Sequence, residues 1–313
     1  MKKVLCPRSL YNDTEELLSL GEIQGKDYSP FFIAVEKNRI DVVKQLLDLG
    51  INPNVSEGLA LSIAIRQGNT EMVSLLLDRG ADVNSRGGLP LFVAVSYRRL
   101  EIVKLLLIKG ANIFGECGYI QQPGAAFYEA IDNLNYEIFS ELISAAKQKP
   151  TSEYHKIMEN LLLSSIRKRF FAGADLILEE YELDRRYLDM AFVEALAWGN
   201  LNIIDKLISK GASCDRAVYI AIHHKHWDVV KYLINKGFDY KPNLCIVECA
   251  PCPELVELLL KQDVKDNFKK SAFKHAVEKG YKESVQIFLE HGVEPWPEIV
   301  SRLVEMGVGI FSL

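Results

Sequence analysis

One short pattern recurs along almost the whole chain and limits what it can become: an apolar residue, two variable residues, a small residue and a large aliphatic one. It reads Phe31…Ala34-Val35, Leu61…Ala64-Ile65, Leu91…Ala94-Val95, Phe127…Ala130-Ile131, Leu162…Ser165-Ile166, Phe192…Ala195-Leu196, Val218…Ala221-Ile222 and Phe273…Ala276-Val277. Leu244…Val247-Glu248 holds the place between the last two. Apolar positions at i, i+3 and i+4 make one buried stripe on a short helix. A second helix then begins with an apolar pair, as in Val42-Val43, Met72-Val73, Ile102-Val103 and Val229-Val230, and repeats it four residues on, as in Leu46-Leu47, Leu76-Leu77, Leu106-Leu107 and Leu233-Ile234. Pairs at that spacing give a stripe too wide for a helix packed on one side only, so each second helix is expected between neighbours. Gly50, Gly80, Gly110, Gly211, Gly237 and Gly292 follow as left-handed helix ends.

These residues resemble the ankyrin-repeat family. Ser29-Pro30-Phe31-Phe32 and Leu89-Pro90-Leu91-Phe92 are similar to its opening signature, and Leu100-Glu101-Ile102-Val103-Lys104-Leu105-Leu106-Leu107 and Gly80-Ala81-Asp82-Val83-Asn84 to its second helix and closing turn. The family period is about 33 residues. Here the small residues are 30, 30, 36, 35, 30, 26, 26 and 29 apart. The resemblance implies an all-α solenoid of about nine helix-turn-helix repeats with capping half repeats and short or absent β-hairpin fingers. The longest finger is expected between Gly110 and Ala130, with Cys117 to Gly124 projecting, and the shortest after Gly211 and Gly237.

The 313 residues divide accordingly: 1–27 as an N-terminal cap, 28–146 as a first repeat block, 147–157 as a linker or insertion, 158–292 as a second block and 293–313 as a C-terminal cap. Lys147 to Tyr154 reads as an inserted polar linker containing Pro150, and Asp13 to Leu20 as the second helix of a half repeat. Pro297 to Met306 starts with proline at a first helical position and would close the other end.

A net charge of −5 and a pI near 5.8 argue against general binding of nucleic acid or anionic membranes. The start has no signal-peptide pattern, and no apolar window is long enough to span a bilayer. Six unevenly spaced cysteines are too sparse for a disulfide scaffold, so a reducing, cytoplasmic setting is expected. Nucleotide-binding, hydrolase and kinase signatures are absent, so no catalysis and no cofactor are expected.

Two clusters invite metal chemistry. Cys245, Cys249 and Cys252 have the C-x3-C-x2-C spacing of radical enzymes that use S-adenosylmethionine, and thiolates bind soft metals. The packing alternative gives Cys245 the half-buried place of Phe92 or Tyr128, leaves Cys249 exposed on the first helix, and lets Cys252-Pro253 open the second. In His223-His224-Lys225-His226 the first and last imidazoles stand at i and i+3, where they could share a metal. Against this, His226 holds the inter-helix place of Asn69 and Asn200.

The resemblance implies that the two residues after each small–aliphatic pair face a partner on the concave side. Arg66, Gln67, Tyr97, Arg98, Arg167, Trp198, His223 and His224 are the candidates, with Tyr119 on the long finger. Arginine, tyrosine and tryptophan dominate interface energetics. Trp227 holds the place of Leu100 and Leu201 and is expected in the core. The expected protein is therefore a monomeric scaffold that binds another protein, of the kind met in bacterial effectors and large DNA viruses. A thiol-ligated metal or redox protein built on Cys245, Cys249 and Cys252 is the alternative.

Overall fold

The structure, a computed structural model, describes residues 29–117, 122–148 and 152–308. Every regular element among these residues is a helix. The chain divides into two compact units, the first ending at Leu183 and the second starting at Asp184.

Unit 1 holds five helix pairs: α1 (Ser29–Glu36) with α2 (Ile40–Asp48), α3 (Val55–Gln67) with α4 (Thr70–Asp78), α5 (Ser85–Ser96) with α6 (Leu100–Ile108), α7 (Ala125–Asp132) with α8 (Tyr136–Lys147), and α9 (Ser152–Arg167) with α10 (Phe171–Glu180). First helices pack on first helices and second on second, making two layers. The periodic residues lie between them: Leu61, Ala64 and Ile65 of α3 and Met72, Val73 and Leu76 of α4 are all buried. A single pair cannot bury both of its faces, so neighbouring pairs supply the core.

Unit 2 repeats the arrangement with α11 (Arg185–Trp198) and α12 (Leu201–Ser209), α13 (Ala217–His223) and α14 (Trp227–Asn235), α15 (Pro242–Glu248) and α16 (Pro253–Leu260), and α17 (Asp266–Lys279) and α18 (Lys282–Glu290). A single helix, α19 (Pro297–Met306), lies against α17 and buries Ile299, Leu303 and Met306. Its proline does stand in the first helical turn.

The six glycines expected to end second helices are all left-handed, with φ between 78° and 92°. Each lets the next residue's N–H return to a carbonyl inside the helix, as from Ala81 to Leu76 (2.9 Å) and from Ala111 to Leu106 (2.9 Å). Side chains also tie one pair to the next. Asn54 donates to Gly80 O and accepts from Asp82 N, and Asn84 does the same with Gly110 O and Asn112 N. In unit 2 the acceptors are Asp189, Tyr219 and Asn243, which take the N–H groups of Ser213, Lys241 and Lys265.

Three sequence expectations change. First, Lys147 belongs to α8, and α9 starts at Ser152. Tyr154, read as part of a polar linker, is buried: its hydroxyl meets that of Tyr181, which also donates to Ile143 O (3.3 Å), and its ring stands edge-on to Phe114 at 5.3 Å. Secondly, Cys117 is buried rather than projecting, while residues 118–121 of the long finger lie outside the described residues, as does the proposed half repeat at Asp13 to Leu20.

Thirdly, the register of α15 is two residues from the one expected. Leu244 is 53 % exposed, whereas Cys245, Ile246, Cys249 and Ala250 are buried. That spacing matches Ala191, Phe192, Ala195 and Leu196 of α11 and Ala272, Phe273, Ala276 and Val277 of α17, all buried as well. Cys249 is thus the small residue of this repeat, and Val247 is not. The cause lies in the turn. Elsewhere the second helix is capped five residues after the small one; here Cys252 caps it after three, its N–H returning to Cys249 O at 2.9 Å. No residue of this shortened turn takes a left-handed step, and Pro251, whose ring holds φ near −65°, could not take one.

Candidate functional site

The candidate residues sit on the turns inside each helix pair, and eight of the nine turns use one backbone device. Four residues after the small residue the chain takes a single left-handed step, at Asn38, Gly68, Arg98, Leu134, Arg169, Gly199, Lys225 and Gly280. The next N–H then returns to the carbonyl of the small residue, as from Asn69 to Ala64 (3.1 Å), Arg99 to Ala94 (2.8 Å) and His226 to Ala221 (3.0 Å). Asn69, Asn135 and Asn200 also cap the second helix with a side-chain oxygen that accepts from the N–H three residues on. The candidates all fall within this reversal: Arg66, Arg167 and His223 two residues after the small one, Gln67, Tyr97, Trp198 and His224 three after it, and Arg98 on the left-handed step itself.

Several of these turns are stitched to the neighbouring pair by a side chain. Gln67 Nε2 donates to Glu36 O (2.6 Å), Arg98 Nη2 to Asn133 O (3.3 Å) and Arg99 Nη2 to Arg66 O (3.0 Å). In unit 2, His226 Nε2 lies 2.9 Å from Ala197 O, and since the carbonyl only accepts, this nitrogen carries the proton. Arg99 and His226 thus perform one task in two different units. Both lie over a glycine: a Cβ on Gly68 would stand 2.7 Å from the Arg99 guanidinium carbon, and one on Gly199 2.5 Å from His226 Nδ1. Glycine at these two places serves the left-handed backbone and the close approach together.

Arg66 and Tyr97 are half-buried; Gln67, Arg98, Arg167, His223 and His224 are exposed. Trp198 remains 38 % exposed. Tyr119 lies outside the described residues. The histidines are arranged differently from the expected His223–His226 pair. The His224 ring stacks on His226 at 6.2 Å and 12°, His223 meets His224 edge-on at 5.2 Å, and Ala197 O occupies the Nε2 side of His226.

Trp227 is half-buried rather than core, and its counterparts Leu100 and Leu201 are also only partly covered. It helps to line a depression of about 420 Å³ with Lys225, His226, Lys231, Cys252, Pro253 and Glu254. The shortened turn accounts for it. Where Arg99 and His226 reach back over the preceding turn, the cap of α16 is Cys252, whose side chain is too short to do so. No periodicity in the sequence announces this depression, because a two-residue deletion in the neighbouring turn produces it.

Cys249 is fully buried, not exposed, and Cys245 is buried beside it. Burial pushes the Cys245 thiol up to about 11. Burial, followed by the neighbouring Cys245, Cys252 and Glu248, pushes that of Cys249 higher still. A thiol held protonated is a poor nucleophile and metal ligand, and Cys249 fills the place that alanine takes in α11, α13 and α17. Among the described residues no group of three or more His, Cys, Asp or Glu side chains is set to hold a metal ion. No helix among them is long and apolar enough to cross a membrane.

A family model described as ankyrin repeats, in three copies, matches residues 31–116. No curated protein matches the chain. Similar crystal structures include the human ASB11 ankyrin repeat domain, 23 % identical, covering 62 % of this chain and 91 % of that domain with a TM-score of 0.46. Another is an ankyrin repeat domain from Acinetobacter baumannii AYE, 22 % identical, covering 60 % and 100 % of the two chains with a TM-score of 0.48. Residues 31–116 are thus similar to ankyrin repeats, and the rest of the chain continues as stacked helix pairs.

Proposed function

We propose that the chain is a non-catalytic scaffold that binds a partner protein through the outward turns of its helix pairs. Ankyrin repeats are generally protein-binding modules, and their fold is typically a scaffold without catalysis. The observation that carries the proposal is the shared placement of these exposed and half-buried turn residues. The apolar stripes are consumed in the stack, while arginine, tyrosine, tryptophan and histidine stand within one recurrent reversal of the backbone. Side chains of these types on a rigid, periodic frame bind at low entropic cost.

Trp198 is the anchor of the unit 2 face, and Tyr97 with Arg66 and Arg98 that of unit 1. The test is affinity capture with wild type, with Tyr97→Ala and with Trp198→Ala. At least one protein captured by wild type should be lost with each variant. Capture of the same proteins by all three would show that these turns are not the contact.

A further inference from the structure

We infer that unit 1 docks an acidic segment of its partner protein along its inter-helix turns, with Arg98 and Arg169 as leading contacts. This rests on the protein-binding reading above and adds the chemistry of the partner. In the four residues after each small–aliphatic pair, the five turns of unit 1 carry eight lysines and arginines against two carboxylates, Glu36 and Asp132. Such a bias is unexpected in a chain of net charge −5. The first helices that bear these turns pack in succession, α3 on α5, α5 on α7 and α7 on α9, so Arg98-Arg99 and Arg167-Lys168-Arg169 flank the α7 turn, which carries no cation.

The backbone holds these turn residues outward. The left-handed step is taken by glycine in three pairs, where it is without strain, and in unit 1 by Asn38, Arg98 (φ 55°), Leu134 and Arg169 (φ 60°). Each is exposed. The cationic turns are also preorganised. Arg98 is tied to Asn133 O and Arg99 to Arg66 O, while Lys168 Nζ stands 2.8 Å from Asp132. A guanidinium held by one carbonyl keeps further donors for a carboxylate.

The neighbouring charges select the class of partner. Asp41, Glu71, Glu101 and Glu137 open the second helices just beyond the turns, making a parallel row of carboxylates. A polyphosphate or an anionic lipid surface presents negative charge broadly and would meet that row as well. A protein segment places its carboxylates along one line and meets only the cations.

The test uses a fluorescent peptide of alternating glutamate and leucine, with binding to the full chain followed by anisotropy. The peptide should bind wild type and weaken as salt rises. Arg98→Gly/Arg169→Gly should weaken it about tenfold while the melting temperature holds or rises, because glycine suits both backbone positions. Arg98→Lys/Arg169→Lys should retain binding. Equal affinity of wild type and the glycine variant would overturn the inference, as would tighter binding of duplex DNA or phosphatidylserine vesicles than of the peptide. If the peptide fails to bind but Tyr97→Ala still abolishes capture of a partner, the acidic class is wrong and the protein-binding reading stands.

Discussion

The turns of unit 1 and unit 2 share a backbone and differ in what they display. In unit 1 they are rich in arginine and lysine; in unit 2 they carry Trp198, three histidines, Lys225 and a shortened Pro251-Cys252 turn. The difference shows that the small–aliphatic pattern constrains only the inner side of the turn. Arg99 and His226 illustrate the same freedom at the stitched position, where any long donor able to reach the preceding carbonyl suffices.

The largest test of this division concerns cooperativity. Leu106 is fully buried in unit 1, and Leu106→Ala should cost about 2–5 kcal/mol. Neighbour interfaces carry the stability, so amide exchange should quicken through residues 100–183 before it does so beyond Asp184. Uniform loosening of both units would show that they fold as one and that the comparison has no energetic content.

A smaller effect separates the two stitched glycines. Gly68→Ala and Gly199→Ala both place an L side chain in left-handed backbone, at about 1 kcal/mol each. The added methyl also meets Arg99 in one case and His226 in the other. The arginine is long and moves aside, whereas the imidazole has two torsions and is held by Ala197 O. Gly199→Ala should therefore cost about 2–3 kcal/mol, and the excess should disappear in Gly199→Ala/His226→Ala. Equal costs at the two sites, measured by denaturant unfolding, would count against the close approach.

The smallest effect is a gain. Leu134 takes the left-handed step at φ 51° with 57 % of its surface exposed. Leu134→Gly should raise stability by about 0.5–1 kcal/mol. A loss would mean that the Leu134 side chain packs on its own turn more than its exposure indicates.

Most of the helical plan was legible in the residues. The stripes at Leu61, Ala64 and Ile65, the glycines after second helices and the closing helix at Pro297 all follow from local physics: periodicity, left-handed backbone and a proline in the first turn. Reading failed where the outcome depended on the adjoining pair. Tyr154 stands in a polar-looking stretch, and its burial depends on Phe114 and Tyr181, distant in sequence. Leu244 looked like core because it continued the spacing of Val218 and Phe273. The two-residue deletion after Cys249 moved the register, and an apolar Cys245-Ile246 pair took the buried places.

By itself, then, the sequence determined a repeated helix pair, its small buried residue and the glycine that ends it, because each is set within about one helical turn. Only the tertiary structure decided that Cys249 is packing, that Trp227 lines a depression, and that Arg99 and His226 are tied inward while Arg98, Trp198 and His224 stand outside. Those assignments depend on what the next pair places opposite each side chain, which no spacing within one repeat encodes.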